Sequence, residues 1–137
     1  MDKVSIVVPS YNSSETILET IDSILNQTIK NFECIIVDDN STDDSLKKII
    51  SKVSSDKRFI IKKLKTNRGV VNARNHGIKE STGRFICFLD SDDLWRNDFL
   101  ELSLKKRADC DYALTHTKYL RFNKKINQTI IKEIKPP

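Results

Sequence analysis

The sequence predicts an α/β protein: a mostly parallel sheet flanked by helices. Two observations carry that prediction. Short apolar runs alternate with stretches of helical periodicity, which is the pattern of strands joined by right-handed helical crossovers. Each of the first four apolar runs also ends in a polar cluster, where an open α/β sheet binds its ligands. At 137 residues, 38% hydrophobic and 31% charged, the chain fits one soluble domain spanning 1–137.

Val4 to Val8 reads as a buried strand. Behind the cap candidates Ser13 and Ser14, residues Ile17, Ile21, Ile24 and Leu25 recur at helical spacing. Phe32 to Val37 is a second strand. Ser41-Thr42-Asp43-Asp44 has the spacing of a capping box ahead of the helical pattern Leu46, Ile49, Ile50 and Val53. Arg58 to Leu64 is a third strand, Val70 to Ser81 a helix that Gly83 could end, and Arg84 to Leu89 a fourth strand. Beyond Asp93 the pattern weakens. Phe99, Leu100, Leu102 and Leu104 suggest a helix, and Cys110 to Thr117 and Ile126 to Ile134 suggest two more strands. Pro136-Pro137 is an abrupt stop, so the chain is expected to be an N-terminal fragment.

The net charge of +5 suits an anionic ligand. The lysines are dispersed, however, and no basic stripe with interleaved aromatics marks a nucleic-acid surface. Lys124-Lys125 and the other late lysines read as a solvated face, with peripheral membrane attraction as the second option. The opening apolar run is too short for a secretory signal and nothing later reaches membrane-spanning length. The expected location is the cytoplasm, or the inner face of the plasma membrane. Cys34, Cys87 and Cys110 are odd in number, lack metal-ligand spacing and fall in strand-like runs, so buried reduced thiols are expected.

The four polar clusters are Pro9-Ser10-Tyr11-Asn12, Asp38-Asp39-Asn40-Ser41, Asn67-Arg68-Gly69 and Asp90-Ser91-Asp92-Asp93. Crowded carboxylates behind Phe85-Ile86-Cys87-Phe88-Leu89 repel one another, which a cation or hydrogen-bond donors would relieve, so the fourth cluster reads as a divalent-metal site. The bland alternative is an acidic turn before a helix. Asp38 and Asp39 sit where a carboxylate can accept from a base N–H or ribose hydroxyls, and Asp39 is the favoured ligand; turn formation and capping account for the residues after them. Arg68 or Arg74 could offer a guanidinium to a diphosphate, against the alternative of a helix start with an exposed basic face. His76 reads as a surface or satisfied residue and Trp95 as a core or lid anchor.

In that order, Val4-Ser5-Ile6-Val7-Val8-Pro9-Ser10-Tyr11-Asn12, Ile36-Val37-Asp38-Asp39-Asn40-Ser41-Thr42-Asp43, Asn67-Arg68-Gly69, Ala73-Arg74-Asn75 and Phe88-Leu89-Asp90-Ser91-Asp92-Asp93 resemble the nucleotide-sugar-binding half of a family 2 glycosyltransferase with the GT-A fold. The resemblance runs from about Val4 to Trp95. It implies that Pro9 and Tyr11 border the nucleobase, that Asp39 bonds to it, that Asp90 lies near ribose and metal, and that Asp92 coordinates Mn²⁺ or Mg²⁺ bridging the diphosphate. Arg74 would support this pocket. It further implies an inverting transfer from a nucleoside-diphosphate sugar, UDP leading, to a hydroxyl of a saccharide or lipid-linked acceptor. The metal would stabilise the negative charge that develops on the leaving group. The general base belongs to a segment of the family pattern that has no counterpart here; Asp109 and Asp111 are candidates by residue type alone. Donor binding with little transfer is therefore the expected activity of this chain.

Two other readings compete. A receiver-like signalling domain would also bind Mg²⁺ in an acidic pocket, but its acidic pair should follow the first strand, where Pro9-Ser10-Tyr11-Asn12 stands. A sugar nucleotidyltransferase should carry a glycine-rich phosphate loop there, and the chain's only glycines are Gly69, Gly77 and Gly83.

Overall fold

The computed structural model describes residues 2–107, 119–123 and 128–132. They fall in two compact units, Met1–Glu101 and Leu102–Pro137. The first unit is built on a fully parallel sheet of β1 (Val4–Ser10), β2 (Phe32–Asp38), β3 (Phe59–Lys63) and β4 (Phe85–Phe88), in the order β3-β2-β1-β4. Every residue of β1 and β2 is buried, as near-continuous apolar runs at the centre of a parallel sheet should be.

β1 and β2 each extend past their expected ends, paired in register from Val4↔Phe32 to Ser10↔Asp38. Pro9 is tolerated within β1 for a specific reason. Val7 O accepts from Leu89 N, so the odd residues of β1 face β4, and Pro9 lies past the last β4 pairing at Val7↔Phe88. Its missing N–H therefore falls where no partner strand in the described sheet needs it.

Helices α1 (Ile17–Leu25), α2 (Ser45–Val53) and α3 (Val70–Glu80) connect these strands. α1 buries Ile17, Ile21 and Ile24, and α2 buries Ile49 and Val53, as their periodicity predicts. Ile50 of α2 is exposed. α3 meets β1 closely at Gly77, where an added Cβ would collide with Val7 Cγ1. Ala73 packs with Ile35 and Val37, flanked by Ile60 and Leu64.

Three expectations about helix ends are corrected. Ser41 does not cap α2: its Oγ accepts from Asn12 N at 3.0 Å, and the helix begins at Ser45, whose N–H donates to Asp43 Oδ1 at 2.9 Å. Ser13 and Ser14 do not cap α1 through their side chains; Ser13 O receives Thr16 N and Ile17 N instead. Gly83 does not end α3, which stops at Glu80 with Ser81 as its C-cap. Gly83 is small because β1 passes against it: a Cβ there would lie 2.7 Å from Ser5 N and 2.8 Å from Lys3 O.

Helix α4 (Phe99–Arg107) lies where the leucine pattern predicts it. In the second unit, β5 (Tyr119–Asn123) and β6 (Gln128–Lys132) pair antiparallel, from Tyr119↔Lys132 to Asn123↔Gln128. β6 falls inside the expected Ile126–Ile134 strand and β5 is an additional one. The Cys110–Thr117 strand lies outside the described residues, as do Cys110, Asp109, Asp111 and Lys124-Lys125. Among the described residues no helix is long and apolar enough to cross a membrane. Cys34 and Cys87 are free thiols, and burial pushes Cys34 far up and Cys87 up to about 11, so both are inert at neutral pH.

Candidate functional site

β1 to β2 to β3 proceeds in one direction across the sheet, whereas β4 lies on the other side of β1. The chain therefore reverses between β1 and β4, and the loops that leave these two strands diverge. A cleft of about 520 Å³ opens there, at the carboxyl ends of the strands. Pro9 to Ser13 with Glu15 and Thr16 form one wall; Asp39, Asn67, Gly69, Val70 and Ala73 form another; Asp90, Ser91 and Asp92 close the end. Polar clusters separated by up to eighty residues thus meet at one edge, as their position after the strands predicts.

Backbone geometry and side-chain bonds hold the loops. Asn12 (φ 48) and Asn40 (φ 62) both occupy the left-handed region, which Asn tolerates better than most residues. Asn12 Oδ1 accepts Thr42 N at 2.9 Å, Ser45 Oγ accepts Ser13 N at 2.8 Å, and Asp43 Oδ2 accepts Ser14 N at 3.1 Å. The loops after β1 and β2 are laced into one wall. Burial would raise the Asp43 carboxyl, but the donors from Ser45 and Ser14 outweigh it and hold it down to about 2.

Asp39 is 2% exposed and lines the cleft. Its carboxylate accepts Arg68 N at 3.0 and 3.2 Å and Gly69 N at 2.7 Å, so it anchors the turn into α3, where Gly69 has φ 88. Its neighbour Asp38 is fully buried and does not line the cleft. Asp38 Oδ2 accepts Ser41 N at 3.1 Å, while Oδ1 has no hydrogen-bond partner. The side-chain alternation of a strand separates the two: one carboxylate faces the cleft and the other goes inside.

The remaining expected residues divide similarly. Pro9, Tyr11, Asp90 and Asp92 line the cleft, with Tyr11 half exposed at its rim. The side chains of Arg68 and Arg74 are not in its lining. Arg68 is exposed and contributes its backbone N–H to Asp39. Arg74 Nη2 donates to Asp90 Oδ1 at 2.6 Å, and its guanidinium carbon lies 5.9 Å from the Phe88 ring centroid. His76 is exposed on α3, and Trp95 stacks on Phe99 with centroids 4.3 Å apart. Asn67, of the third polar cluster, also lines the cleft, as does Glu15, which belongs to none of the four clusters; its place just after the first cluster is the signal that could have found it.

Among the described residues four carboxylates, Glu15, Asp39, Asp90 and Asp92, line this cleft, and no lysine, arginine or histidine does. Asp93, one residue on, is raised above the usual carboxylate range by burial and by the charges of Asp92 and Asp90. Among the described residues no group of three or more His, Cys, Asp or Glu side chains converges as a ready-made metal cage. An ion that bridges a diphosphate needs only one or two carboxylates, the rest of its shell being phosphate oxygen and water. The Asp92 carboxylate, exposed and engaged by no hydrogen-bond donor among the described residues, fits such an ion.

Comparison with known proteins agrees with this arrangement. Residues 5–133 match the family model described as Glycosyl transferase family 2. The E. coli UDP-Glc:alpha-D-GlcNAc-diphosphoundecaprenol beta-1,3-glucosyltransferase WfaP is 48% identical over 95 residues, covering 69% of this chain and 37% of that protein. The crystal structure of S. aureus TarS 1-349 in complex with UDP superposes with TM-score 0.72 at 34% identity, over 78% of this chain and 32% of that one. The mannosyltransferase PcManGT from Pyrobaculum calidifontis, in complex with GDP-Man and Mn²⁺, gives TM-score 0.73 at 28% identity, over 77% of this chain and 32% of that one. The chain spans about a fifth of the length of the first curated relatives it matches.

Proposed function

The chain belongs to glycosyl transferase family 2, and on that premise we propose that its cleft binds a nucleoside-diphosphate sugar, UDP-linked, as the donor side of an inverting transfer to an acceptor hydroxyl. The observation that carries this reading is the charge of the lining: among the described residues, four carboxylates with no basic side chain. A diphosphate entering alone would be repelled, so the pocket suits a nucleotide that arrives with a divalent cation, Mn²⁺ or Mg²⁺. Such a cation, when bound, supplies Lewis-acid stabilisation of the diphosphate leaving group.

The chain's own residues divide the work. Tyr11 and Pro9 offer an aromatic face and a rigid edge to the base. Asp39, held by two backbone donors, still has lone pairs for a base N–H. Asp90, steered by Arg74, faces the ribose and the cation, and Asp92 is the carboxylate for the cation itself. Arg68 has its guanidinium outside the lining, so its part is the backbone bond to Asp39. The solved neighbours support this reading by their own ligands, UDP in one and GDP-Man with Mn²⁺ in the other.

The acceptor follows from the relatives. WfaP by its name acts on a lipid-linked diphosphate sugar, and TuaG of Bacillus subtilis is named for teichuronic acid biosynthesis. A saccharide or lipid-linked acceptor in cell-surface polysaccharide synthesis, met at the inner face of the plasma membrane, fits that company. The general base is left unassigned. Melting the protein against UDP-, GDP- and dTDP-sugars, each with and without Mn²⁺, tests the proposal. Stabilisation by a UDP-sugar that requires the metal supports it; no stabilisation by any nucleotide sugar rejects it.

A further inference from the structure

One polar stripe, running from Thr16 at the N-cap of α1 to Gln27 just past its C-terminal end, is not a solvated face. Thr20 and Gln27 are fully buried, and with Thr16 and Ser23 they form a stripe at i, i+4, i+7 and i+11. Each member grips the backbone of the segment that follows β4. Thr16 Oγ1 and Thr20 Oγ1 both donate to Ser91 O, at 2.9 and 3.0 Å. Ser23 Oγ accepts Trp95 N at 3.3 Å. Gln27 Nε2 donates to Arg96 O at 2.6 Å, and Gln27 Oε1 accepts Leu100 N at 3.1 Å. The contacts run in order along both partners, so helix and segment are held in one register from Ser91 to Leu100.

Ser91 lies between Asp90 and Asp92, the two cleft carboxylates nearest the end wall. A peptide carbonyl held by two hydroxyls fixes the peptide plane and with it the position of the next residue's Cα, leaving rotation about that residue's N–Cα bond to set its Cα–Cβ direction. The turn has a second tie at Asp93 N→Asp90 O, 3.0 Å, but that bond is internal to it and cannot orient it against the rest of the unit. From outside the turn, the α1 hydroxyls hold its backbone at Ser91, while Arg74 holds the Asp90 side chain.

The geometry points to Thr16 and Thr20 as positioning residues that aim Asp92 at the bound cation by clamping the Ser91 carbonyl. This inference rests on the reading of Asp92 as the cation's carboxylate. It makes α1 part of the donor site: Thr16 lies in the cleft wall, and Thr20, outside the lining, acts only through the Ser91 backbone. Removing outer supports of a metal ligand costs about 10–100-fold in metal affinity, which sets the scale to expect.

The test is UDP binding to the whole chain by calorimetry, with and without Mn²⁺. Valine keeps the shape of threonine and deletes the donor. Thr20→Val, outside the cleft lining, should lose several-fold or more of the affinity gained on adding Mn²⁺, while metal-free UDP affinity stays within about twofold; the double variant Thr16→Val/Thr20→Val, which also alters the cleft wall, should lose about tenfold or more of that gain. Thr16→Ser/Thr20→Ser, which keeps both hydroxyls, should restore the gain. The single variant Thr16→Val, at a partly exposed position of the cleft wall, should also lose several-fold of the Mn²⁺ gain and covers the case in which the variants at buried Thr20 do not fold. A merely structural role predicts equal loss with and without metal; that result, or an unchanged Mn²⁺ gain, overturns the inference. Asp92→Ala run alongside separates the two layers. If it keeps the Mn²⁺ gain, the assignment of Asp92 fails and the clamp with it; if it loses the gain while the valine variants keep it, the clamp alone fails.

Discussion

Arg74 Nη2 meets Asp90 Oδ1 at 2.6 Å, joining helix α3 to the carboxylate at the end of the cleft. Both side chains are more than a third exposed, so the pair adds at most about 1 kcal/mol to stability. Its consequence is directional: it keeps Asp90 turned toward α3 and offsets part of the repulsion between Asp90 and Asp92.

Arg74→Met should therefore leave the melting temperature within a few degrees of the parent and weaken UDP binding by about tenfold, a loss of about 1.4 kcal/mol. Paired melting curves and binding isotherms check this. A large fall in melting temperature with unchanged affinity would reassign Arg74 to the fold.

Asp39→Asn replaces a carboxylate that accepts three backbone contacts with an amide that has one acceptor oxygen. The expected outcome is faster amide exchange at Arg68 and Gly69, together with weaker binding of uridine nucleotides in the absence of metal. Unchanged exchange at both amides would contradict the anchoring role.

Much of this was legible in advance, and the failures share a cause. The strands, the helices of the first unit and the convergence of the strand-end clusters follow from periodicity and topology, which are local or statistical properties. Asp38 and Asp39 look equivalent in sequence and both are buried, and only the strand's alternation of faces decides that Asp39 lines the cleft and Asp38 does not. Gly83 reads as a helix stop because a glycine's role shows only through its neighbour, here the backbone of Ser5. The Thr16, Thr20, Ser23 and Gln27 stripe has the right spacing to be noticed, but polar residues on an amphipathic helix are ordinarily the wet face. Its partner lies some seventy residues away.

At the opposite end of the sheet, Glu33 is 4% exposed and accepts from Lys3 Nζ at 2.5 Å, Ser5 Oγ at 2.6 Å and Thr82 N at 2.6 Å. Burial would raise this carboxyl, yet the donors from Lys3, Ser5 and Thr82 prevail and hold it at about 2, below its ordinary 4.5. A depressed carboxylate contributes its full stabilisation above pH 4.5, and that contribution is lost as the pH falls toward 2. Glu33→Gln should cost about 2 kcal/mol at pH 7 and flatten this acid limb. Urea unfolding at pH 7 and pH 3 measures both; a parent equally stable at the two pH values, with no change in the variant, would remove the clamp.

Gly77→Ala pushes a methyl group into Val7, a buried β-branched residue in the central strand. Overpacking of this kind costs about 1–3 kcal/mol. Because α3 carries Arg74 and begins at the cleft residue Val70, UDP affinity should fall along with the melting temperature. A variant as stable as the parent would show that α3 can shift without loss.

Isothermal calorimetry of UDP with the parent and with Asp92→Ala, in the presence and absence of Mn²⁺, addresses the cleft most directly. The exposed carboxylate of Asp92 is no part of the core, so the variant should fold normally, bind UDP as the parent does without metal, and lose the affinity that Mn²⁺ adds. An Asp92→Ala protein whose UDP affinity rises with Mn²⁺ as steeply as the parent's would show that the cation is not held there.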